Sequence, residues 1–208
     1  GMLAVNSTAS GMRVFQRPLL AVDRLNAVGE AVALIVAETP HAAQQAADLV
    51  ELDYEALEPA AELAAAMAGP PLFAEWPDNE AFLHRWEQGD VSAAFAAAAH
   101  VVQIAFSMPR VAPLALETRG TVAQWTPKPA ALTIWLGTQT PHRARAELAR
   151  ILGLSEAAVR VITPDVGGAF GGKASLYPED VLVAAAAMRL GRPVKWIATR
   201  NEDFVSAA

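Results

Sequence analysis

The sequence has no cysteine, few charged residues and no long apolar run. Without cysteine, the 208 residues can form no disulfide, thiol nucleophile or cysteine-ligated zinc or iron–sulfur centre. The longest apolar runs, Val32–Ala37 and Val181–Met188, stop far short of the roughly 18 residues that a membrane-spanning helix needs. No basic and apolar leader opens the sequence, so we expect a cytoplasmic protein with no membrane association.

The charge balance is acidic, with 16 lysines and arginines against 22 aspartates and glutamates, for a net charge of −6. A binder of phosphate backbones needs a basic face, so we expect no nucleic-acid partner. The four histidines share no spacing typical of metal ligands, and we assign no metal to them. Charged residues make up only 18% of the chain, which suggests that part of its surface is covered by other protein.

The apolar pattern predicts an α+β (mixed α/β) fold in two domains. Residues 1–17 show no periodicity and are expected to be irregular. Residues 18–57 are predicted to form a strand–helix–strand unit, and residues 58–94 a linker region with one short helix. The unit comprises strands at Val32–Ala37 and Val50–Tyr54 and a helix at His41–Val50, and the linker helix lies near Ala60–Met67.

Residues 95–208 are predicted to form a second α/β region. Two of its helices should begin at a proline segment and end at Gly153 and Gly191, because glycine readily adopts the left-handed conformation that closes a helix. The predicted helices are Val91–Ala99, His142–Leu152 and 178–190, and the predicted strands are His100–Pro109, Thr121–Trp125, Ala131–Leu136, Val159–Thr163 and Val194–Thr199.

A glycine-rich loop at residues 165–173 carries the strongest chemical signal. Its glycines free the backbone to approach a ligand closely, and successive amides can form an anion-binding nest. A phosphate-binding P-loop is disfavoured because Ala174 stands where Ser or Thr should follow the lysine, and because the next helix begins only at Pro178. A simple mobile connector is the other alternative, and the bulky Phe170 between two glycine pairs argues against it.

Several ordered motifs resemble the molybdenum-cofactor-binding subunit of the xanthine dehydrogenase, aldehyde oxidase and carbon monoxide dehydrogenase family. Upstream segments resemble the end of the α/β hammerhead domain of that family, so the likeness covers residues 18–208. The cofactor-domain motifs are Gly137–His142, Val161–Lys173, Tyr177–Asp180 and Gly191–Trp196, and the hammerhead segments are Val28–Ala33 and Val50–Glu55. Under this resemblance, residues 95–208 are the first part of the molybdopterin-binding domain.

The resemblance implies a site and a reaction, the oxidative hydroxylation of an aldehyde or an N-heterocycle. Gln139 would hydrogen-bond an oxo ligand of the molybdenum. The cofactor would be molybdopterin, with its cytosine dinucleotide form as one option. Xanthine-type enzymes carry a glutamate where this sequence has Ala174, which disfavours purines. The loop residues placed beside the metal centre and the pterin would be Gly168, Ala169, Phe170, Gly171 and Gly172.

Large subunits of this family are far longer than 208 residues, so their catalytic glutamate and second half of the cofactor cradle would lie beyond Ala208. We therefore expect a second chain that carries the rest of the domain, together with iron–sulfur and FAD subunits. Alone, the chain should bind no cofactor, show no activity and self-associate as a homo-oligomer. The alternative is a non-catalytic remnant that acts as a structural or oligomerising module.

Three acidic residues near these motifs have simpler explanations. Glu117 lies in a segment that resembles the active-site side of the family, but a structural salt bridge with Arg119 is the favoured interpretation. Glu179 and Asp180 are explained by a favourable interaction with the dipole of the helix that they open.

Overall fold

A computed structural model describes residues 2–4, 11–109 and 111–207 of the chain. Its contacts divide the chain into two compact units. The larger unit contains Phe15–Pro59 and the chain from Ala112 onward, and the smaller unit contains Ala60–Val111 with a short segment that ends at Val14. No helix among the described residues is long and apolar enough to cross a membrane.

A four-stranded mixed sheet forms the frame of the larger unit. Strands β3 (Gly120–Pro127) and β4 (Ala130–Leu136) form an antiparallel hairpin and confirm the strands predicted at Thr121–Trp125 and Ala131–Leu136. Strand β5 (Val159–Ile162) adds parallel to β4, and β6 (Val194–Ile197) adds antiparallel to β3, so the order is β5-β4-β3-β6. These four strands confirm four of the five strands predicted in residues 95–208.

Helices α4 (Pro141–Leu152) and α5 (Pro178–Leu190) contribute to the same hydrophobic core as the sheet. Both begin at a proline and end at a glycine with positive φ, 68° at Gly153 and 62° at Gly191, as predicted. The largest side chains that are completely buried in this core are Leu132, Ile134, Leu148, Val181 and Val183.

Short elements complete the larger unit, and some differ from the prediction. Helix α1 (Pro40–Ala47) is capped by Thr39 and confirms the predicted helix there. The first residues were expected to be irregular, but β1 (Met2–Ala4) pairs antiparallel with β2 (Gln16–Pro18). Helix α6 (Arg200–Ser206) was not predicted, although Thr199 and Glu202 form the reciprocal capping box that marks a helix start in sequence.

The smaller unit has two short helices, α2 (Leu63–Ala68) and α3 (Val91–Ala97). Residues 58–94 were predicted to be a linker region with one short helix near Ala60–Met67, and α2 lies at that place. Polar contacts organise the chain beside this helix. The Asn79 amide donates to the carbonyl oxygen of Ala66 at 2.7 Å, and its oxygen accepts from the Leu72 N–H at 2.7 Å. None of the described residues of this unit is buried.

Three predicted strands are wrong: Val32–Ala37, Val50–Tyr54 and His100–Pro109 are not strands in the structure. An apolar run becomes a strand only where a second strand pairs with its backbone, and no such neighbour lies along these runs within the described residues. Instead, Ile104 and Phe106 are 73% and 79% exposed in an extended segment. Periodicity shows that a segment can bury one face, but it does not identify the strand that would pair with it.

A buried arginine joins the start of β3 to α5 and α6. Arg119 is only 5% exposed, and its Nε donates to Asp203 Oδ1 at 3.0 Å. Its terminal nitrogens reach the two oxygens of Glu179, each at 3.4 Å, and also donate to Ser206. The guanidinium carbon lies 4.0 Å from the ring centre of Tyr177, a cation–π distance. Glu179 is therefore more than a helix-dipole acid, because it neutralises a buried cation.

Asp180 is buried at the first turn of α5, where Oδ2 accepts a hydrogen bond from the Tyr177 N–H at 3.0 Å. Burial raises the pKa of Asp180 to about 7, against the opposing effect of this hydrogen bond. Between its ordinary pKa and 7, the unfolded chain is ionised at this residue while the folded chain keeps the proton. Rising pH through this window therefore removes stability from the fold.

We expect Asp180→Asn to remove this pH dependence, because asparagine keeps the hydrogen-bond acceptor and cannot ionise. Between pH 5 and pH 8, the free energy of unfolding of the variant should rise by about 2 kcal/mol relative to the native chain. Urea denaturation followed by circular dichroism at both pH values measures this difference. Asp53→Asn, at an exposed site, is the matched control and should follow the native chain. A parallel pH dependence of Asp180→Asn and the native chain would contradict the prediction.

Candidate functional site

The fold brings the segment around Gln139 against the end of the glycine loop. The Gln139 N–H donates to the carbonyl oxygen of Lys173 at 2.9 Å, and the Thr138 hydroxyl donates to the same oxygen at 3.2 Å. The Thr140 hydroxyl donates to the carbonyl oxygen of Ala174 at 2.9 Å. Gln139 itself is exposed, and its side-chain amide has no hydrogen-bond partner in the described part of the chain. The structure thus unites the two segments that the sequence singled out.

The glycine loop has an unusual backbone. Gly168 and Gly171 have φ values of 97° and 89°, and Phe170 between them has a φ of 50°, which is uncommon for a residue with a side chain. Two turns follow each other, in which the Gly172 N–H donates to the Ala169 carbonyl and the Ala174 N–H to the Gly171 carbonyl. The side chain of Phe170 is consequently 76% exposed.

Glycine is required in this loop for two different reasons. A Cβ atom at Gly167 would lie 2.6 Å from Glu117 Cβ, and one at Gly172 would lie 2.7 Å from Pro113 Cγ. Neither position therefore has room for a side chain. Gly168 and Gly171 need the left-handed backbone, and a Cβ atom at Gly171 would meet open space. Gly167 and Gly172 therefore fit the loop to the protein, whereas Gly168 and Gly171 allow its backbone to turn.

The middle of the loop presents free hydrogen-bond donors. The backbone N–H groups of Gly168, Ala169, Phe170 and Gly171 donate to no acceptor within the described residues. Consecutive free N–H groups on a turning backbone form a nest that binds anionic or strongly accepting groups. This arrangement can hold a ligand by main-chain contacts alone.

Glu117 holds both ends of the loop. Its Oε2 accepts from Lys173 Nζ at 2.6 Å and from the Gly167 N–H at 2.9 Å. The predicted partner of Glu117, Arg119, is wrong, because Asp203 and Glu179 already neutralise that arginine. The hydrogen bond from Lys173 lowers the pKa of Glu117 below its ordinary value, so the carboxylate is charged at neutral pH.

The sequence analysis assigned Lys173 no role, and the structure makes it a central residue of the site. Its side chain is only 3% exposed, although it is the last residue of the glycine-rich loop. No local pattern identifies its partner, since 56 residues separate it from Glu117.

The second half of the loop is tied to the start of α5. The Tyr177 hydroxyl donates to the carbonyl oxygen of Gly172 at 2.6 Å, and its ring stacks on Arg119. Burial raises the pKa of this hydroxyl, so it stays protonated and remains a donor. Among the described residues, no group of three or more histidine, aspartate or glutamate side chains could hold a metal ion. An open cavity of about 240 Å³ borders the site and is lined in part by Glu117, Thr118, Gly137, Pro164 and Asp165.

Comparison with known families shows to which family this chain belongs. The sequence model of the molybdopterin cofactor-binding domain matches residues 72–208. The model of the aldehyde oxidase and xanthine dehydrogenase a/b hammerhead domain matches residues 3–58. The chain belongs to the molybdenum hydroxylase family. Both the family and the fold class, the end of a hammerhead domain followed by the start of a cofactor-binding domain, are confirmed.

Individual relatives of this family match almost the whole chain. The nicotine 6-hydroxylase large subunit of Paenarthrobacter nicotinovorans is 40% identical over 97% of the chain and 25% of its own length. The carbon monoxide dehydrogenase large chain of Hydrogenophaga pseudoflava is 33% identical over 91% of the chain and 26% of its own length. The crystal structure of quinoline 2-oxidoreductase from Pseudomonas putida 86 matches with a TM-score of 0.89 at 35% identity, over 97% of the chain and 26% of that protein.

The chain therefore spans about a quarter of the length of these molybdenum hydroxylase subunits. The family match supports the molybdenum cofactor as the group that this domain type binds. The roles assigned to Gln139 and to the loop residues stay predictions, as does the dinucleotide form of the cofactor. Relatives named as a large subunit, a large chain and a complex subunit gamma are components of larger assemblies.

Proposed function

We propose that this chain builds one side of the cofactor site of a molybdenum hydroxylase that oxidatively hydroxylates an aldehyde or an N-heterocycle. The observation that carries the proposal is the junction at Lys173, whose carbonyl oxygen holds Gln139 against a loop with four free N–H groups. Gln139 and residues 168–172 would then contact the cofactor directly.

The residues present fit a molybdopterin cofactor. The free N–H groups of the loop suit its electron-rich dithiolene and pterin, and the open space beside Gly171 lets such a group reach the backbone. When bound, the cofactor supplies two-electron redox chemistry at the molybdenum. The loop contributes main-chain donors, which add no charge, and the ends of the loop are already fixed by Glu117 and Tyr177.

Gln139 is suited to orient the metal centre. Its backbone N–H is bound to Lys173, which fixes the start of the side chain, while the amide at the other end has no partner among the described residues. A neutral amide donates a hydrogen bond without changing the charge of the site. Phe170, exposed on its left-handed backbone, adds an aromatic side chain to the glycine loop.

The rest of the site would come from sequence outside these 208 residues, on the same chain or on a second one. A shorter relative favours the second option, because the chain spans 45% of the nicotinate dehydrogenase large molybdopterin subunit of Eubacterium barkeri. Electrons would leave through iron–sulfur and FAD subunits, since this sequence has no cysteine to hold a cluster. We further propose the cytosine dinucleotide form of the cofactor and a cytoplasmic location.

A second candidate function is a non-catalytic module that oligomerises. The exposed apolar segment at residues 100–109 favours it, because a water-exposed row of large apolar side chains is typical of an association surface. The free amides of the glycine loop favour the enzyme, since an association module has no need for an open nest at this position.

The central test is Gln139→Ala in the complete enzyme that contains this chain. We expect turnover to fall by about 10²-fold, comparable to the loss of one positioned hydrogen-bond donor elsewhere, with assembly intact. Steady-state turnover and molybdenum content per protein measure the two properties. Gln124→Ala, at an exposed site of β3, is the matched control and should behave like the native enzyme. Unchanged turnover in Gln139→Ala would contradict the assignment of the site.

The 208 residues alone should bind no molybdenum cofactor tightly and should oxidise no aldehyde or N-heterocycle. Half of a cradle leaves one face of the pterin in water, whereas typical sites bury most of their ligand. Elemental analysis of the purified chain and dye-reduction assays test both points. Molybdenum near one atom per chain, or turnover without any partner, would contradict this prediction.

The isolated chain should also self-associate through its exposed apolar segment. Light scattering over a range of concentrations should show oligomers, and Phe106→Lys should shift them toward monomers because a charge in an apolar contact costs free energy. Leu57→Lys places the same charge at an exposed leucine outside this segment and should leave the oligomers unchanged. A monomer at all concentrations would count against the proposal.

A further inference from the structure

We propose that Glu117 and Lys173 form a positioning pair that fixes the glycine loop and Gln139 relative to each other for the reaction. This inference rests on the proposed function, since it concerns the alignment of two segments toward one cofactor. Neither residue needs to touch the cofactor in order to act in this way.

One carboxylate oxygen controls both ends of the loop. Oε2 of Glu117 accepts from the Gly167 N–H at 2.9 Å, at the start of the loop, and from Lys173 Nζ at 2.6 Å, at its end. The Glu117 N–H also donates to the Gly167 carbonyl oxygen at 3.1 Å, so the start of the loop is held by main-chain and side-chain bonds together. Both ends of the loop thus bind the carboxylate of Glu117.

Lys173 passes this constraint on to Gln139. Its ammonium is bound to Glu117, while its carbonyl oxygen accepts from the Gln139 N–H and from the Thr138 hydroxyl. Any displacement of the lysine backbone therefore moves the acceptor that holds Gln139. A shift of about 1 Å in a positioned group can cost as much as about 10²-fold in rate.

Burial makes the pair obligatory. The side chain of Lys173 is 3% exposed, and among the described residues Glu117 is the carboxylate at ion-pair distance from it. Removing one partner of such a pair leaves an uncompensated buried charge, which is strongly unfavourable. Gly167 allows the close approach of the acid, because a Cβ atom there would lie 2.6 Å from Glu117 Cβ.

The location of the pair distinguishes it from a structural salt bridge. The Arg119 cluster joins a strand to two helices, whereas Glu117 and Lys173 join loop segments next to an open cavity. Glu117 is 47% exposed and contributes no apolar surface to the core. Loss of the pair should consequently loosen the site and leave the sheet and α5 folded.

The test uses the complete enzyme, prepared with and without the molybdenum cofactor. Glu117→Gln keeps the size of the side chain and an acceptor for Gly167, but removes the charge that holds Lys173. The double variant Glu117→Gln with Lys173→Met also removes the buried cation. It therefore shows whether an effect of Glu117→Gln comes only from an unpaired buried charge that destabilises the fold. Glu156→Gln breaks the exposed ion pair with Arg145 and is the matched control.

We expect amide hydrogen exchange in the cofactor-free Glu117→Gln enzyme to rise at least about 10-fold in peptides covering residues 137–141 and 166–174, the equivalent of one lost charge-assisted hydrogen bond. Peptides from the core of α5, Val181–Ala187, should exchange as in the native enzyme and serve as an internal reference. With cofactor, turnover should fall about 10-fold at unchanged molybdenum content, an effect within the range of small misplacements. The double variant should have the native melting temperature and the low turnover of Glu117→Gln, and Glu156→Gln should match the native enzyme throughout.

Native exchange in the two site peptides of Glu117→Gln would overturn the proposal, as would faster exchange with native turnover. Recovery of turnover in the double variant would also overturn it, since the pair would then serve only to avoid a stranded charge. Failure of the proposed function gives a different result from failure of this proposal. If the proposed function is wrong, Gln139→Ala keeps native turnover. The exchange measurement needs no cofactor and still decides whether the pair holds the loop.

Discussion

The burial of the Arg119 guanidinium is the constraint on which much of the larger unit depends. A cation that is 5% exposed needs nearby carboxylates, and it obtains them from α5 through Glu179 and from α6 through Asp203. The Arg119 carbonyl oxygen also accepts from the Ala198 N–H, where β6 leads into α6. The ring of Tyr177 stacks on Arg119, and its hydroxyl donates to the carbonyl oxygen of Gly172. Tyr177 therefore joins this cluster to the glycine loop.

The loop is fixed at its ends and open in its middle. Glu117 holds Gly167, the hydroxyl of Tyr177 holds Gly172, and the segment around Gln139 holds Lys173. Between these anchors lie the amides without acceptors. Fixing the ends of the loop lowers the conformational entropy that ligand binding costs, because fewer backbone arrangements remain to be lost. The positive φ of Phe170 is consistent with strain that the anchors sustain.

The two units differ in how they are stabilised. The larger has a core of completely buried aliphatic side chains between a sheet and two helices, whereas no described residue of the smaller is buried. A segment of that kind, with long apolar side chains in contact with water, gains stability when further protein covers it.

Local signals in the sequence determined the helices α4 and α5, the β3–β4 hairpin and the motifs that identify the family, because proline and glycine act on neighbouring residues. Only the tertiary structure decided which apolar runs became strands, since the pairing strand can be distant in the chain, as β6 is from β3. The same holds for the site. The motifs pointed to Gln139 and the glycine loop, but the partner of Glu117 turned out to be Lys173 rather than the adjacent Arg119. Nearness in sequence favoured Arg119, whereas burial of that arginine among Asp203 and Glu179 removed it from reach and left the carboxylate to the lysine.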